Sequence, residues 1–285
     1  MNRQKSFDNS NPTLYLVATP IGNLSEVSYR VITTLKEVDY IAAEDTRVTI
    51  KLLNHYDINT KLISHHEHNL NTAITRIIGL LEQGNNIALV SDAGYPAISD
   101  PGYELVSAAI EKDINVVVVN GPNAALGALV VSGIAPQPFM FYGFLDHKDK
   151  NKRKQLEKLK KYEETIILYE SPHRISKTLE LMLSIMGDRK IALARELTKK
   201  HEEIIRGNIS EVLTVAAELK GEMVIVVSGN KETKDVEFNN TVIEHINELI
   251  ELGLSSREAI KEVAKIRNLK KSDVYNEYHT IKEDR

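Results

Sequence analysis

The sequence predicts an α/β protein with a small helical module at its C-terminal end. Three observations carry this. Short apolar runs of strand length alternate with helix-patterned stretches from residue 14 to residue 227. Three of the runs end in loops rich in glycine and proline that lead into helices. After a polar, charged linker at 231–238 the pattern becomes wholly helical.

The first strand, near 14–18, runs into Thr19-Pro20-Ile21-Gly22-Asn23-Leu24. Asn23 and Glu26 have capping-box spacing, and Val27, Val31, Leu35 and Val38 mark one face of the helix expected next. A strand at 40–43 leads into Glu44, Asp45, Thr46 and Arg47, where Asp45 suits the N-cap of a helix through Ile50 and Leu53. A strand at 61–64 leads into His65-His66-Glu67-His68-Asn69. The run at 87–90 ends in the most informative stretch, Ser91-Asp92-Ala93-Gly94-Tyr95-Pro96-Ala97-Ile98-Ser99-Asp100-Pro101-Gly102. Gly94 and Gly102 allow positive φ or close approach of a ligand, and Pro101 is placed to open the next helix. A rigid acidic loop at the carboxyl end of a strand is where an open α/β sheet binds small molecules. The strand at 115–119 ends in Asn120-Gly121-Pro122-Asn123-Ala124-Ala125, with Asn123 placed to cap the apolar helix 126–131.

A second set of strands is expected near 139–142, 165–169, 190–194, 203–206 and 223–227, with helices near 152–161, 173–186 and 209–218. Residues 123–138 join the two sets, and pattern alone fits either one large sheet or two. In the C-terminal part, Val242, Ile246, Leu249 and Ile250 mark one helix. Ser256 is placed to cap a second, with Ile260, Val263 and Ala264 inward. Ser272 is placed to cap a third, with Val274, Tyr275 and Tyr278. Short helices joined near Asn268-Leu269 read as helix-turn-helix-like; such a module either packs on its parent or touches nucleic acid.

Composition narrows the classes. Hydrophobic content of 42% supports packed cores, and a net charge of −4 gives no overall attraction to nucleic acid. Any RNA contact must then use a local patch. The absence of cysteine excludes disulfides and thiolate metal sites and fits the cytoplasm. No long apolar run predicts a membrane span, and residues 1–12 read as a loose polar tail.

Charge marks further candidates. The segment 148–161 carries Lys148, Lys150, Lys152, Arg153, Lys154, Lys158, Lys160 and Lys161 against Asp149 and Glu157, a candidate phosphate-binding surface. In Glu170-Ser171-Pro172-His173-Arg174, Ser171 suits an N-cap and Pro172 the first helical position. His173 and Arg174 then fall where the helix dipole is already positive. This fits an anion opposite, such as RNA phosphate, or pairing of Arg174 with Glu170 or Glu196. A second basic cluster is Arg195, Lys199, Lys200, His201 and Arg206. The histidine run lacks metal-ligand spacing, because adjacent strand residues face opposite ways, so no metal is expected.

Five phrases carry a resemblance. They are Val17-Ala18-Thr19-Pro20-Ile21-Gly22-Asn23-Leu24, Ala43-Glu44-Asp45-Thr46-Arg47, the stretch 91–102, Tyr169-Glu170-Ser171-Pro172-His173-Arg174 and Ala194-Arg195-Glu196-Leu197-Thr198-Lys199. In this order they resemble the tetrapyrrole methylase superfamily of S-adenosylmethionine-dependent methyltransferases. The resemblance runs from about residue 14 to residue 228 and implies two α/β domains, 13–122 and 123–230, with the cofactor in the cleft between them; the flexible tail at 1–12 and the helical module at 239–285 lie outside it and rest on composition and pattern. It implies that the loops 19–23, 91–100 and 121–125 converge on S-adenosylmethionine, with Pro20, Ser91, Asp92, Ala93, Gly94, Gly121, Pro122, Asn123 and Ala124 as contacts.

The phrases match the branch that methylates a cytidine ribose 2′-hydroxyl in the decoding region of 16S rRNA. That branch implies a homodimer. The assembled small ribosomal subunit is the expected substrate, because selecting one cytidine needs more context than a phosphate patch reads, and Arg47, His65, Lys152, Arg153, Lys154 and Arg195 are the candidate RNA contacts. Glu170, His173, Arg174 and Lys199 are the catalytic candidates. The general base stays open among His173, Glu170, Lys199, His65 and Asp100; a lysine base would have to be neutral. Other readings are a tetrapyrrole or diphthine methylase and a non-catalytic RNA-binding or ribosome-assembly protein. The chain departs from the family in its third loop, where Asn120 and Asn123 replace the usual proline and serine.

Overall fold

The computed structural model describes residues 3–6, 8, 11–66, 69–230, 240–267 and 269–283, with side chains as far as His279. The linker 231–238 lies outside the described residues. Contacts divide the chain into two compact units, Met1–Asn230 and Lys231–Arg285.

The first unit holds two five-stranded sheets. In one, β1 (Thr13–Val17), β2 (Tyr40–Ala43), β3 (Lys61–Ser64), β4 (Ile87–Val90) and β5 (Asn115–Val119) run in the order β3-β2-β4-β1-β5, all parallel. Alternate side chains leave opposite faces. Leu14, Ala42 and Leu89 meet Ile77 and Leu81 of α3 (Leu70–Glu82) and Leu105 of α4 (Tyr103–Glu111). Val17, Ile41 and Ala88 meet Val31 and Leu35 of α1 (Tyr29–Glu37) and Leu53 of α2 (Thr46–His55). Cover on both faces explains why these strands read as continuous apolar runs.

In the other sheet, β6 (Phe139–Phe144), β7 (Thr165–Glu170), β8 (Lys190–Arg195), β9 (Glu203–Asn208) and β10 (Met223–Val227) run in the order β6-β7-β10-β8-β9. β6 and β7 are parallel; β10 is antiparallel to β7 and β8, and β8 to β9. Helices α6 (Asp149–Leu159), α7 (Ile175–Met186) and α8 (Ile209–Ala216) share one core with this sheet. Helix α5 (Ala124–Ser132) packs on Ile167, Ala192, Val224 and Val226. In the second unit α9 (Val242–Glu251), α10 (Ser256–Ile266) and α11 (Lys271–Glu283) bury Ile246, Ile260, Val263, Val274 and Tyr278 together.

All the expected strands are present, but several helix starts move. Asn23 caps only a single 3-10 turn, accepting from the Ser25 amide, and α1 starts after Ser28 instead. Pro101 lies outside α4, whose N-cap is Gly102. Gly94 and Gly102 do take positive φ, 79° and 147°. Ser171 does not cap α7: residues 171–174 form a turn, and Arg174 is the N-cap. Ser255, not Ser256, caps α10, and Ser272 sits inside α11. Each error places a cap within a few residues of the true one, because several oxygen-bearing side chains compete near a helix start and packing selects among them. The N-terminal tail is tied to the sheet at Gln4 and again at Asn11 and Pro12, whose carbonyls accept from Asn115. The Gln4 amide donates to the Val116 carbonyl at 2.8 Å and accepts from its N–H at 2.9 Å, along the edge strand β5.

Asp45 and Asn123 cap as expected, Asn123 accepting from the Leu126 amide at 2.9 Å. Asn123→Ala should therefore cost about 1 kcal/mol of stability, a loss of roughly 2–4 °C in Tm by calorimetry, and Asn123→Ser should restore it.

Candidate active-site cleft

Strand order builds the cleft. Because β1 lies between β4 and β5, the loops after these three strands sit side by side at one edge of the sheet. Hydrogen bonds then join them. The Thr19 amide donates to the Gly94 carbonyl at 2.8 Å, and the Gly94 amide donates back to Thr19 at 3.1 Å. The Thr19 hydroxyl donates to the Ser91 carbonyl at 3.1 Å. Tyr95 Oη donates to Asn120 Oδ1 and accepts from the Gly121 amide, each at 3.2 Å. Asn120 thus has a defined partner on the neighbouring loop.

The second sheet supplies the opposite wall. A cavity of about 440 Å³ is lined by Ile21, Glu44, Asp92, Asp100 and Asn123 on one side and by Phe144, Tyr169, Leu197, Lys199 and Val224 on the other. This is within the usual range for small-molecule sites, about 300–1,000 Å³. Tyr169 meets Phe141 and Phe144 edge to face at centroid distances of 5.0 and 5.5 Å, which makes this wall aromatic and stiff. The lining loops also hold strained backbone. Ala97, Ser99, Glu196 and Thr198 all have φ between 50° and 70°. Such conformations in non-glycine residues persist where surrounding structure enforces them, often at binding sites.

The cleft is acidic. Burial pushes the Asp100 carboxyl up, Glu44 and Asp92 add repulsion, and a Ser91 hydrogen bond pulls only partly back, so its pKa stands at about 6. Apolar walls with several carboxylates suit a ligand that has an apolar body and positive charge.

The sequence candidates divide sharply. Asp92, Ala93, Gly94, Asn123, Ala124, Glu170 and Lys199 line the cavity, while Pro20, Ser91, Gly121 and Pro122 belong to the loops that frame it. Glu170 is 2% exposed, and both its oxygens are engaged. Arg174 Nε pairs with it at 2.7 Å, which decides between the partners left open by the sequence. For Lys199, burial alone would lower the pKa, but Glu196 Oε1 at 3.0 Å and Glu222 Oε2 at 3.2 Å outweigh it and hold the ammonium charged. It therefore fails the condition for a lysine base. Its stem lies against Gly22, where φ is +136° and a Cβ would stand 2.5 Å from Lys199 carbons.

Two RNA candidates are corrected. Lys152 is 2% exposed, and His65 is 1% exposed, so neither presents a surface to phosphate. Lys152 falls on the inner stripe of α6, and His65 follows the parallel strand β3 into the core. Burial also lowers the pKa of His65. Arg153, Lys154 and His173 are exposed. The Arg47 side chain is 89% exposed while its guanidinium grips Asp45 at 2.7 Å. Arg195 is not in the cavity lining and pairs with Glu203 and the Lys220 carbonyl. Among the described residues no group of His, Asp or Glu is arranged to hold a metal; Glu67 and His68 lie outside them.

The residues that sequence reasoning missed are chiefly Glu222, Met223 and Phe144. Antiparallel pairing brings the amino end of β10, with Glu222 and Met223, beside the carboxyl end of β7, whereas only carboxyl ends of strands were expected to carry the site; Phe144 ends β6 two residues beyond the expected limit of 142, past a register shift between Phe141 and Gly143.

Comparison with known proteins adds identity to this geometry. Residues 13–213 match the family described as Tetrapyrrole (Corrin/Porphyrin) Methylases. A protein of Bacillus subtilis named ribosomal RNA small subunit methyltransferase I is 53% identical, over 98% of this chain and 99% of its own. Its namesake in Halalkalibacterium halodurans is 50% identical, over 98% and 99%. Among solved structures, a cobalt precorrin-4 methyltransferase aligns with a TM-score of 0.58 at 16% identity, covering 76% of this chain and 94% of that one. Diphthine synthase aligns at 0.59 and 11%, covering 76% and 90%. At these identities the two structures speak for the fold alone.

The raised Asp100 pKa has a thermodynamic consequence. The unfolded carboxyl, near 3.8, releases its proton before the folded one, near 6, so this group lowers stability as pH rises between those values. Asp100→Asn should accordingly stabilise the protein more at pH 8 than at pH 4, as read by urea unfolding at each pH. An equal effect at both would contradict the shift.

Proposed function

Since the chain belongs to the tetrapyrrole (corrin/porphyrin) methylases, we propose that it transfers the methyl group of S-adenosylmethionine to small-subunit ribosomal RNA, at a cytidine ribose 2′-hydroxyl. The observation that carries this reading is near-full-length likeness to relatives named for that rRNA, in a chain whose loops converge on a cavity suited to a cationic, partly apolar ligand. The five sequence phrases support the cytidine 2′-hydroxyl as target. The assembled subunit as substrate and a homodimer as working form belong to the same reading.

The donor supplies an electrophilic methyl group on a sulfonium that departs as a neutral thioether. The chain's part is to hold, align and deprotonate. Backbone groups of loops 19–23, 91–100 and 121–125, with Asp92 and the apolar Ile21, Leu197 and Val224, form the donor's pocket. Asp100 is the base. It lines the cavity with a pKa of about 6, whereas Glu170 is fully bonded, Lys199 is held as a cation, His65 is buried in the core, and His173 is exposed and outside the cavity lining. Exposed Arg153 and Lys154 on α6 and Arg47 near the cleft provide phosphate contacts.

The test is methyl transfer from labelled donor to small subunits, free rRNA, tetrapyrroles and diphthine-bearing protein, followed by mapping of the product. Label on a small molecule alone would overturn the reading, and so would lack of donor binding by calorimetry. At subsaturating substrates kcat/KM, which reports the free protein, should rise about tenfold per pH unit on the acid side and level off above about 6. Asp100→Asn should abolish turnover and weaken donor binding only a few-fold, since Glu44 and Asp92 keep the cavity acidic. Reversing Arg153 and Lys154 to Glu should weaken RNA binding and flatten its salt dependence, by about 0.7–0.9 in slope per lost phosphate contact. Donor affinity should stay unchanged.

A further inference from the structure

We propose that Lys152 is a positioning residue for methyl transfer: through Thr178 and Glu170 it holds the turn 171–174 against the cleft. The inference rests on the RNA methyltransferase reading and adds a residue to it. Lys152 belongs to the most basic segment of the chain, yet it alone among the cations of α6 is buried. Its Nζ donates to Thr178 Oγ1 at 2.8 Å and lies 3.7 Å from Glu170 Oε2. Thr178 Oγ1 donates to Glu170 Oε2 at 2.6 Å. On the other oxygen, Glu170 Oε1 accepts the Ser171 amide at 2.8 Å and Arg174 Nε at 2.7 Å, and Arg174 also donates to the Leu145 carbonyl. Ser171 and Pro172 line the cavity, and His173 is exposed next to them.

The direction of these bonds is forced. An ammonium only donates, so the Thr178 oxygen must accept from it, and the single hydroxyl hydrogen is left for Glu170. One carboxylate oxygen is thereby locked toward α7 and the other toward the turn. Arg174 alone neutralises Glu170; the second cation adds orientation rather than charge balance. Burial pushes the Lys152 ammonium down from its ordinary value, and the Glu170 carboxylate pulls it only part of the way back against the nearby Arg174. A methionine would fill the same space without desolvating a charge, so packing does not account for the lysine.

The experiment uses the full-length protein with Lys152→Met, Thr178→Val, Glu170→Gln and the Lys152→Met/Glu170→Gln double variant. Three quantities are read: amide exchange of residues 171–175, donor Kd by calorimetry, and kcat and KM on small subunits. In Lys152→Met the donor Kd should stay within about twofold of wild type, as for an independent site. The turn should exchange faster, and kcat should fall about 10- to 100-fold, the scale of a misplaced site. In the Glu170→Gln background, Lys152→Met should add little. Wild-type exchange and kcat in a folded Lys152→Met protein would overturn the proposal, as would additive losses in the double variant. Should Lys152→Met not fold, Thr178→Val decides on the same readouts, since it removes the hydroxyl at nearly constant volume. Wild-type protein that methylates no RNA would defeat the RNA reading instead; the exchange measurement needs no substrate, and an unaltered turn would still overturn the role of Lys152.

Discussion

The cleft depends on one constraint, the placement of β1 between β4 and β5 in a parallel sheet. Parallel strands end at the same edge, so three loops far apart in sequence become neighbours. The paired backbone bonds between Thr19 and Gly94 then lock two of these loops, and Tyr95 locks the third. The left-handed residues Ala97 and Ser99 and the carboxylates Asp92 and Asp100 are held there by these loops, and Glu44, which follows β2 beside β4, completes the acidic lining that raises Asp100. Loops free of the sheet edge would not keep several carboxylates this close together, since their repulsion would drive them apart toward water.

The opposite wall uses buried and half-buried charge differently. Around Glu170 each charge has a bonded partner, and the group is rigid. Around Lys199 two carboxylates hold one cation whose stem fills the space beside Gly22. Both arrangements are satisfied networks, and satisfied networks specify geometry. Asp100 is the contrast: repulsion and burial leave it poised near neutrality. One cleft thus combines charges fixed by bonded partners with one carboxyl whose pKa is raised to about 6, and such perturbed groups gather at functional sites.

Much of this was legible in the chain. Ten strands, the capping roles of Asp45 and Asn123, and the loops at 19–23, 91–100 and 121–125 follow from apolar runs and turn residues, whose signals are local. The phrases shared with the methylases pointed to the family, and the family match bears that out. Local signals misplaced the starts of α1 and α7, where competing capping side chains lie within a few residues of each other.

What the sequence by itself determined is therefore the set of elements, the chemistry of their loops and the kinship of the chain. Tertiary structure decided the strand order, the antiparallel entry of β10 that brings Glu222 and Met223 to the cleft, and the fate of individual charges. Lys152 and Lys154 are two residues apart in one basic helix, yet one is sealed against Thr178 and the other faces water. Residue type and spacing report what a side chain is able to do. Burial and partner depend on what another element brings to the same place, and that is settled only when the helix is laid on its sheet.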